Sequence, residues 1–315
     1  MASNYRTPAL SHTPTENDRR LGYLFGFVGV ASFSLTLPAT RLAVAALDPV
    51  FVGLGRAVVA AVLAAIVLAV RHAPWPGWAL LPRLALVAGG VVVGFPLFSA
   101  WAMRSAPAAH GAVVIGLLPL ATAMAGAWIA HERPSRSFWL CATFGSTVVA
   151  VFALWRGGGA PQAADGLLIL AVASAAIGYA EGGRLARTMP GWQVICWALA
   201  LAAPLLMGPV AWLVWRHGAS ASPSAWAGFA YVALFSQFIG FFFWYKGLAL
   251  GGIARVSQIQ FAQLFLTLAA SALFLGEHLD LTTIAFAGAV AVVLVIGRRM
   301  PVRRRPSSVL PDAGL

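Results

Sequence analysis

A chain of 315 residues that is 60% hydrophobic and 10% charged, with a mean hydropathy of +0.84, lies far from the roughly 45–50% apolar and 25% charged make-up of soluble domains. It reads as an integral membrane protein. Its 21 Lys and Arg against 9 Asp and Glu give +12, but they cluster in short segments between apolar runs, so membrane topology explains them better than nucleic-acid binding.

Residues 1–20 are polar, contain Pro8, Pro14, Arg19 and Arg20, and lack the apolar core of a signal peptide; a disordered cytoplasmic tail is expected. Ten apolar stretches then follow at 21–46, 50–70, 83–104, 108–130, 137–155, 164–186, 191–215, 224–249, 253–275 and 281–298. Each is close to the length a bilayer-spanning helix needs. Asp48-Pro49, the stretch from His72 to Pro82, Glu132-Arg133-Pro134, the run from Gly157 to Pro161, Pro190-Gly191 and the segment from Ser220 to Pro223 separate them. Residues 299–315 form a basic tail. Cys141 and Cys196 lie in apolar windows with no CxxC or His partner, so they read as packing residues, and neither metal nor cofactor is expected.

Polar residues inside these stretches mark a path, because polar groups facing lipid are costly. The first helix offers Ser32 and Thr36, one turn apart, while Arg41 is expected to snorkel to the outer surface. Arg56 in the second can meet a substrate carboxylate bidentately or pair with Asp48. Gly94, Phe98, Trp101 and Ser105 share a face of the third helix, as Gln237, Phe241, Trp244 and Leu248 do in the eighth; facing aromatics make a flat-walled pocket, although Trp also serves as an interfacial anchor.

In the sixth helix Ser174, Gly178 and Glu181 share a face with Arg184 one turn beyond. Glu181 is a candidate proton carrier, or the ion-pair partner of Arg184 or Arg187. The ninth helix carries the clearest pattern. Val256, Gln260, Gln263, Thr267 and Ser271 form a stripe about 80° wide at about 100° per residue. Gln258 falls elsewhere. The two amides suit a zwitterionic or polar ligand, or bond across to neighbouring helices. The pairs Gly22/Gly26, Gly90/Gly94, Gly178/Gly182 and Gly247/Gly251 suit close helix contacts or hinges.

With both termini inside, sixteen of the 21 Lys and Arg fall on the inner side, Lys246 near a helix end among them; Arg41, Arg104, Arg156 and Arg216 fall outside and Arg56 within a helix. That bias predicts cytoplasmic termini. The chain also repeats. Leu21-Gly22-Tyr23-Leu24 and Arg41-Leu42-Ala43 match Asp165-Gly166-Leu167-Leu168 and Arg184-Leu185-Ala186, while Glu132 matches Glu277 and Thr122 matches Thr267, at offsets from 143 to 145. These offsets define two five-helix copies, at 21–155 and 164–298. An odd number of spans per copy makes them antiparallel, with Glu132 facing the cytoplasm and Glu277 the outside.

Two such repeats, each with a fourth helix ending in Glu (Ala130-His131-Glu132 and Leu275-Gly276-Glu277), the first containing Pro119, resemble the EamA-like drug/metabolite transporter superfamily over nearly the whole chain after residue 20. The second copy has Leu264 in place of Pro119, so the two helices are expected to bend differently. The resemblance implies a ten-helix carrier of small metabolites with alternating access around a central cavity; the aromatic-rich character is most similar to the YddG-type amino-acid exporters.

No GxGxxG, GxxxxGK[ST], HExxH or GxSxG is present, which leaves ATP drive, dinucleotide chemistry and hydrolysis without a motif. The sequence therefore reads as an all-α inner-membrane transporter of bacterial type, not an enzyme. The expected substrates are amino acids, aromatic ones included. The expected cavity residues are Trp101, Phe98, Gln260, Gln263, Thr267, Gln237, Trp244, Ser32, Thr36 and Arg56, with Glu181 and Arg184 as a coupling site or ion pair; the assembly is monomeric or homodimeric. A sugar-phosphate, nucleotide-sugar or drug carrier and a membrane scaffold or receptor are the alternatives.

Overall fold

The computed structural model describes residues 15–129, 132–156, 162–218, 220–298 and 302–304. Among them ten helical rods succeed one another: α1 (Glu16–Val44), α2 (Phe51–Val70), α3 (Trp78–Ser105), α4 (Ala108–Ile129), α5 (Arg136–Arg156), α6 (Ala163–Leu185), α7 (Gly191–Arg216), α8 (Pro223–Gly251), α9 (Ile253–Leu275) and α10 (Leu281–Arg298). All but α5 and α10 are long and apolar enough to cross a membrane. The chain is a multi-pass membrane protein. A short antiparallel ladder joins β1 (Glu132–Pro134) to β2 (Val302–Arg304), so the expected all-α fold gains one strand pair and part of the expected basic tail is paired backbone.

α1 starts ahead of the expected Leu21. Thr15 Oγ1 accepts from the Asp18 N–H at 3.1 Å, and the Asp18 carboxylate accepts from the Thr15 N–H at 3.0 Å. This reciprocal cap satisfies two N–H groups that a helix end leaves free. Residues 1–14 of the expected tail lie outside the described residues.

Several rods are broken, and prolines account for two of the breaks. α1 is interrupted at Leu35; Pro38 has no N–H to offer the Ser34 carbonyl four residues back. α3 passes through a π-helical stretch, Ala88–Gly94, where the Phe95 N–H reaches back five residues to Gly90 O. Pro96 cannot make the next such bond, to Val91. α4 breaks at Gly116–Leu117, just before Pro119, whereas α9 runs unbroken through Leu264 after a tight turn at Ser257–Ile259. The two fourth helices do bend differently.

The packing partners come in exchanged pairs. α1 lies on α8 and α9, α6 lies on α3 and α4, α2 packs against α7, and α5 against α10. The closest approaches use glycine. A Cβ on Gly22 would lie 2.6 Å from Gly251 N, and one on Gly247 would lie 2.7 Å from Gly26 N. The start of α1 (Phe25), the ends of α2 (Arg71) and α8 (Lys246) and the start of α7 (Trp192) surround one lateral groove. α1 and α6 run in opposite directions: Gly22, early in α1, and Gly183, at the end of α6, both meet the end of α8, at Gly251 and Leu248.

Gly247→Val forces backbones apart at the α1–α8 crossing, an overpacking worth about 1–3 kcal/mol; Gly208, with nothing within 4 Å of an added Cβ, accepts Ala with a gain of roughly 0.5–1 kcal/mol of helix propensity. Thermal melting in detergent should fall for the first variant and hold or rise for the second.

Candidate functional site

The polar residues of the bundle interior converge on two adjoining internal cavities. The first is bounded by Phe33 and Thr36 of α1, Arg56 of α2, Val91 and Phe95 of α3, Tyr179 of α6, Ser236, Gln237 and Phe241 of α8, and Gln263 of α9. The second lies between α4 and α9, with Leu37, Ala112, Ile115, Gly116, Leu118, Gln260, Leu264 and Thr267 around it, and Gln263 lines both. Each measures about 10 Å³, at the lower limit for one water molecule. Neither has room for a substrate as it stands, so one enters only if helices move.

The broken backbones position the polar groups. The Ser34 carbonyl that Pro38 leaves free accepts from Thr267 Oγ1 at 2.7 Å. The Val91 carbonyl that Pro96 leaves free accepts from Gln237 Nε2 at 3.1 Å. Both bonds cross from one repeat to the other. Thr36 Oγ1 meets Ser236 Oγ at 2.8 Å between α1 and α8, and Ser271 Oγ donates to Thr267 O at 2.9 Å.

Other groups at the chamber have no protein partner. Arg56 is 1% exposed, its Nε makes no hydrogen bond, and among the described residues no carboxylate pairs with it. Both ends of the Gln260 amide and Oε1 of Gln263 are likewise without a partner, and both residues are buried. Burying such groups costs free energy unless something satisfies them. They are the groups available to a ligand.

The structure thus gathers Thr36, Arg56, Gln237, Gln260, Gln263 and Thr267 around the two cavities, and places the other candidates elsewhere. Trp101 is 41% exposed on the outside of α3, because the buried face of that segment is the one of Phe95, Ser99, Ala102 and Met103, while α6 packs along the same helix. Phe98 is half-buried and lines neither cavity. Trp244 is fully buried, but it fills the gap beside Gly29 and stacks edge-on to Tyr179 and Phe33; it is chamber wall at one remove. Ser32 bonds back to Val28 O, and its own carbonyl accepts from Tyr231 OH. Arg41 does not snorkel; it donates to Met103 O and Ala106 O, holding the carbonyl end of α3. Asp48 caps α2 through the Val50 and Phe51 N–H groups, so it is no partner for Arg56. Lys246 is exposed, over the Phe25 ring.

Glu181 is 2% exposed and lines neither cavity. Its oxygens lie 3.8 Å from Arg83 Nε and 3.5 Å from Arg184 Nε, and Arg184 also donates to Ile129 O at 2.8 Å. The group ties the ends of α6, α3 and α4 together. Sequence reading missed Phe33, Phe95, Tyr179 and Ser236. Tyr179 had a signal, as the one aromatic side chain in the small-residue stretch from Ala175 to Gly183 of α6.

A helical protein of many membrane crossings, with a buried arginine and amides that lack full hydrogen bonding among the described residues at a central chamber, is built as a carrier is built. The EamA-like transporter family matches the chain twice, over residues 20–154 and 162–297. The chain belongs to that family, and its two halves are two copies of one unit. The uncharacterized transporter YdeK of Bacillus subtilis (strain 168) is 43% identical over 279 residues, 88% of this chain and 97% of that relative. A solved crystal structure superposes with a TM-score of 0.62 at 20% identity, over 88% of this chain and 96% of the other; at that identity the likeness is one of fold.

Trp101→Ala should leave the half-saturation concentration of transport unchanged, while Phe241→Ala raises it by roughly 3–10-fold for an aromatic substrate, the equivalent of about 0.5–1.5 kcal/mol for an aromatic contact. Uptake titrations of the two variants in proteoliposomes check this pair.

Proposed function

We propose that this chain exports amino acids, aromatic ones included, across a bacterial inner membrane by alternating access between two inverted five-helix halves, each crossing the membrane five times, with both termini in the cytoplasm. The observation that carries the substrate reading is Arg56, a buried cation that no carboxylate among the described residues pairs with, in a chamber walled by Phe33, Phe95, Tyr179 and Phe241. A guanidinium binds a carboxylate through two parallel N–H bonds. The rings suit an apolar or aromatic side chain, and Gln263 Oε1 with the Thr36 and Ser236 hydroxyls can accept from an ammonium. One cation suits one carboxylate better than a phosphate, which calls for several. The opposite run of α1 and α6 and the exchanged packing pairs support the inverted arrangement, as the Lys and Arg bias supports the orientation.

In this reading the closed chamber opens first to the cytoplasm, where substrate meets Arg56. The halves then rock so that the inner end closes and the outer end parts. Glu181 with Arg83 and Arg184 fastens the inner end.

Flux of labelled phenylalanine, threonine, a sugar phosphate and a quaternary ammonium dye through proteoliposomes, against protein-free vesicles, tests the proposal. Selective amino-acid flux is expected. Arg56→Gln should raise the half-saturation concentration about 10–100-fold, as expected for a charged hydrogen bond of about 1.5–3 kcal/mol, with Arg56→Lys in between. Flux of only the phosphate or the dye overturns the substrate class, and no flux from folded, oriented protein overturns the carrier reading.

A further inference from the structure

At the end of the bundle opposite Glu181, two buried titratable side chains share a hydrogen bond that the chamber does not use. His110 Nε2 lies 2.6 Å from Asp165 Oδ1, with the two residues 5% and 6% exposed. They join the first turn of α4 to the first turn of α6, one helix from each repeat. The other Asp165 oxygen accepts from the Gln162 N–H at 2.9 Å, and the imidazole stacks on Phe152 of α5 at 5.1 Å, which in turn packs on Phe286 of α10.

The charged groups around the pair are fixed as well. From the end of α9, Glu277 accepts from the Ala108 and Ala109 N–H groups at 2.8 Å each, immediately before His110 in the chain. From α1, Arg41 holds Met103 O and Ala106 O. Asp280 caps α10 through the Thr283 N–H. Neither member has a counterpart in the other half: at the repeat offset His110 falls on Arg255 and Asp165 on Leu21.

We propose that His110 and Asp165 form the proton-binding site that couples export to the proton gradient, an inference that rests on the carrier reading above. The step is a simple proton transfer. With substrate gone and the outer end open, a proton from external water adds to the imidazole. The hydrogen bond between a neutral base and a carboxylate becomes an ion pair, stronger in a low dielectric, which draws the outer ends of α4 and α6 together. When the inner end opens, the proton is released to the cytoplasmic side, one proton inward for each substrate outward.

The test uses labelled phenylalanine and a pH-sensitive dye with the full chain in proteoliposomes. A one-to-one exchange concentrates substrate about tenfold per unit of imposed pH gradient, and the wild-type protein should approach that with proton movement in step. His110→Gln and Asp165→Asn should lose gradient-driven accumulation and the dye signal while retaining exchange of labelled for unlabelled phenylalanine at zero gradient. Gradient-driven accumulation by His110→Gln overturns the site. Wild-type exchange with no proton movement overturns the coupling and leaves the carrier reading intact, whereas wild-type protein without any exchange overturns that reading and this inference with it. Should both variants fail to insert, the proton-to-substrate ratio of the wild-type protein decides: a ratio near zero removes the site, and a ratio near one supports it.

Discussion

Inside a bilayer no water is at hand for a backbone carbonyl that a helix leaves unbonded, and this constraint organises the bundle. α1 and α3 are both interrupted beside prolines, and each interruption frees a carbonyl. A side chain from the other repeat takes each one: Thr267 takes Ser34 O and Gln237 takes Val91 O. Arg184 likewise donates across the repeats to Ile129 O, and Tyr245 OH donates to Gly178 O within the second. The breaks that let α1 and α3 bend around a chamber are therefore also places where the halves are joined. Thr122, the counterpart of Thr267, is buried with its hydroxyl lacking a protein partner, so the two copies have diverged in how they use one position.

Much of this was legible in the sequence because membrane helices announce themselves by length and apolarity, and a duplication by a constant offset. The ninth-helix stripe was legible for the same reason: α9 is regular from Gln260 to Leu275, so a wheel at a uniform angle places Gln260, Gln263, Thr267 and Ser271 on one buried face. The third helix defeats that wheel. A face drawn from Gly94 to Trp101 starts inside a π-helical stretch, where the angle per residue differs, and the aromatic pattern picked out the wrong side of the segment from Phe95 to Ser105. The buried face is the one of Phe95, Ser99, Ala102 and Met103 instead. The His110–Asp165 pair spans 55 positions. No local pattern couples two residues so far apart.

The chamber also explains why a buried arginine is tolerated. Arg56 stands beside hydroxyl and amide groups that are themselves partly unsatisfied, in a space too small to admit more than about one water molecule. A bundle selected only for stability would replace these groups with aliphatic ones. Their retention, with Glu181 held by two arginines at one end and polar ties at the other, gives the closed form a cost that a bound ligand can offset.

The glycine crossing of α1 and α8 has one more consequence. Where Gly22 and Gly26 meet Gly247 and Gly251, the surfaces in contact are bare backbone, without the interlocked ridges that fix the angle of most helix pairs. Such a junction behaves as a fulcrum: it resists separation, since van der Waals contact is lost at once, but offers little resistance to swivelling. A place where a methyl group cannot be added is thus also the place about which two long rods can tilt without unpacking.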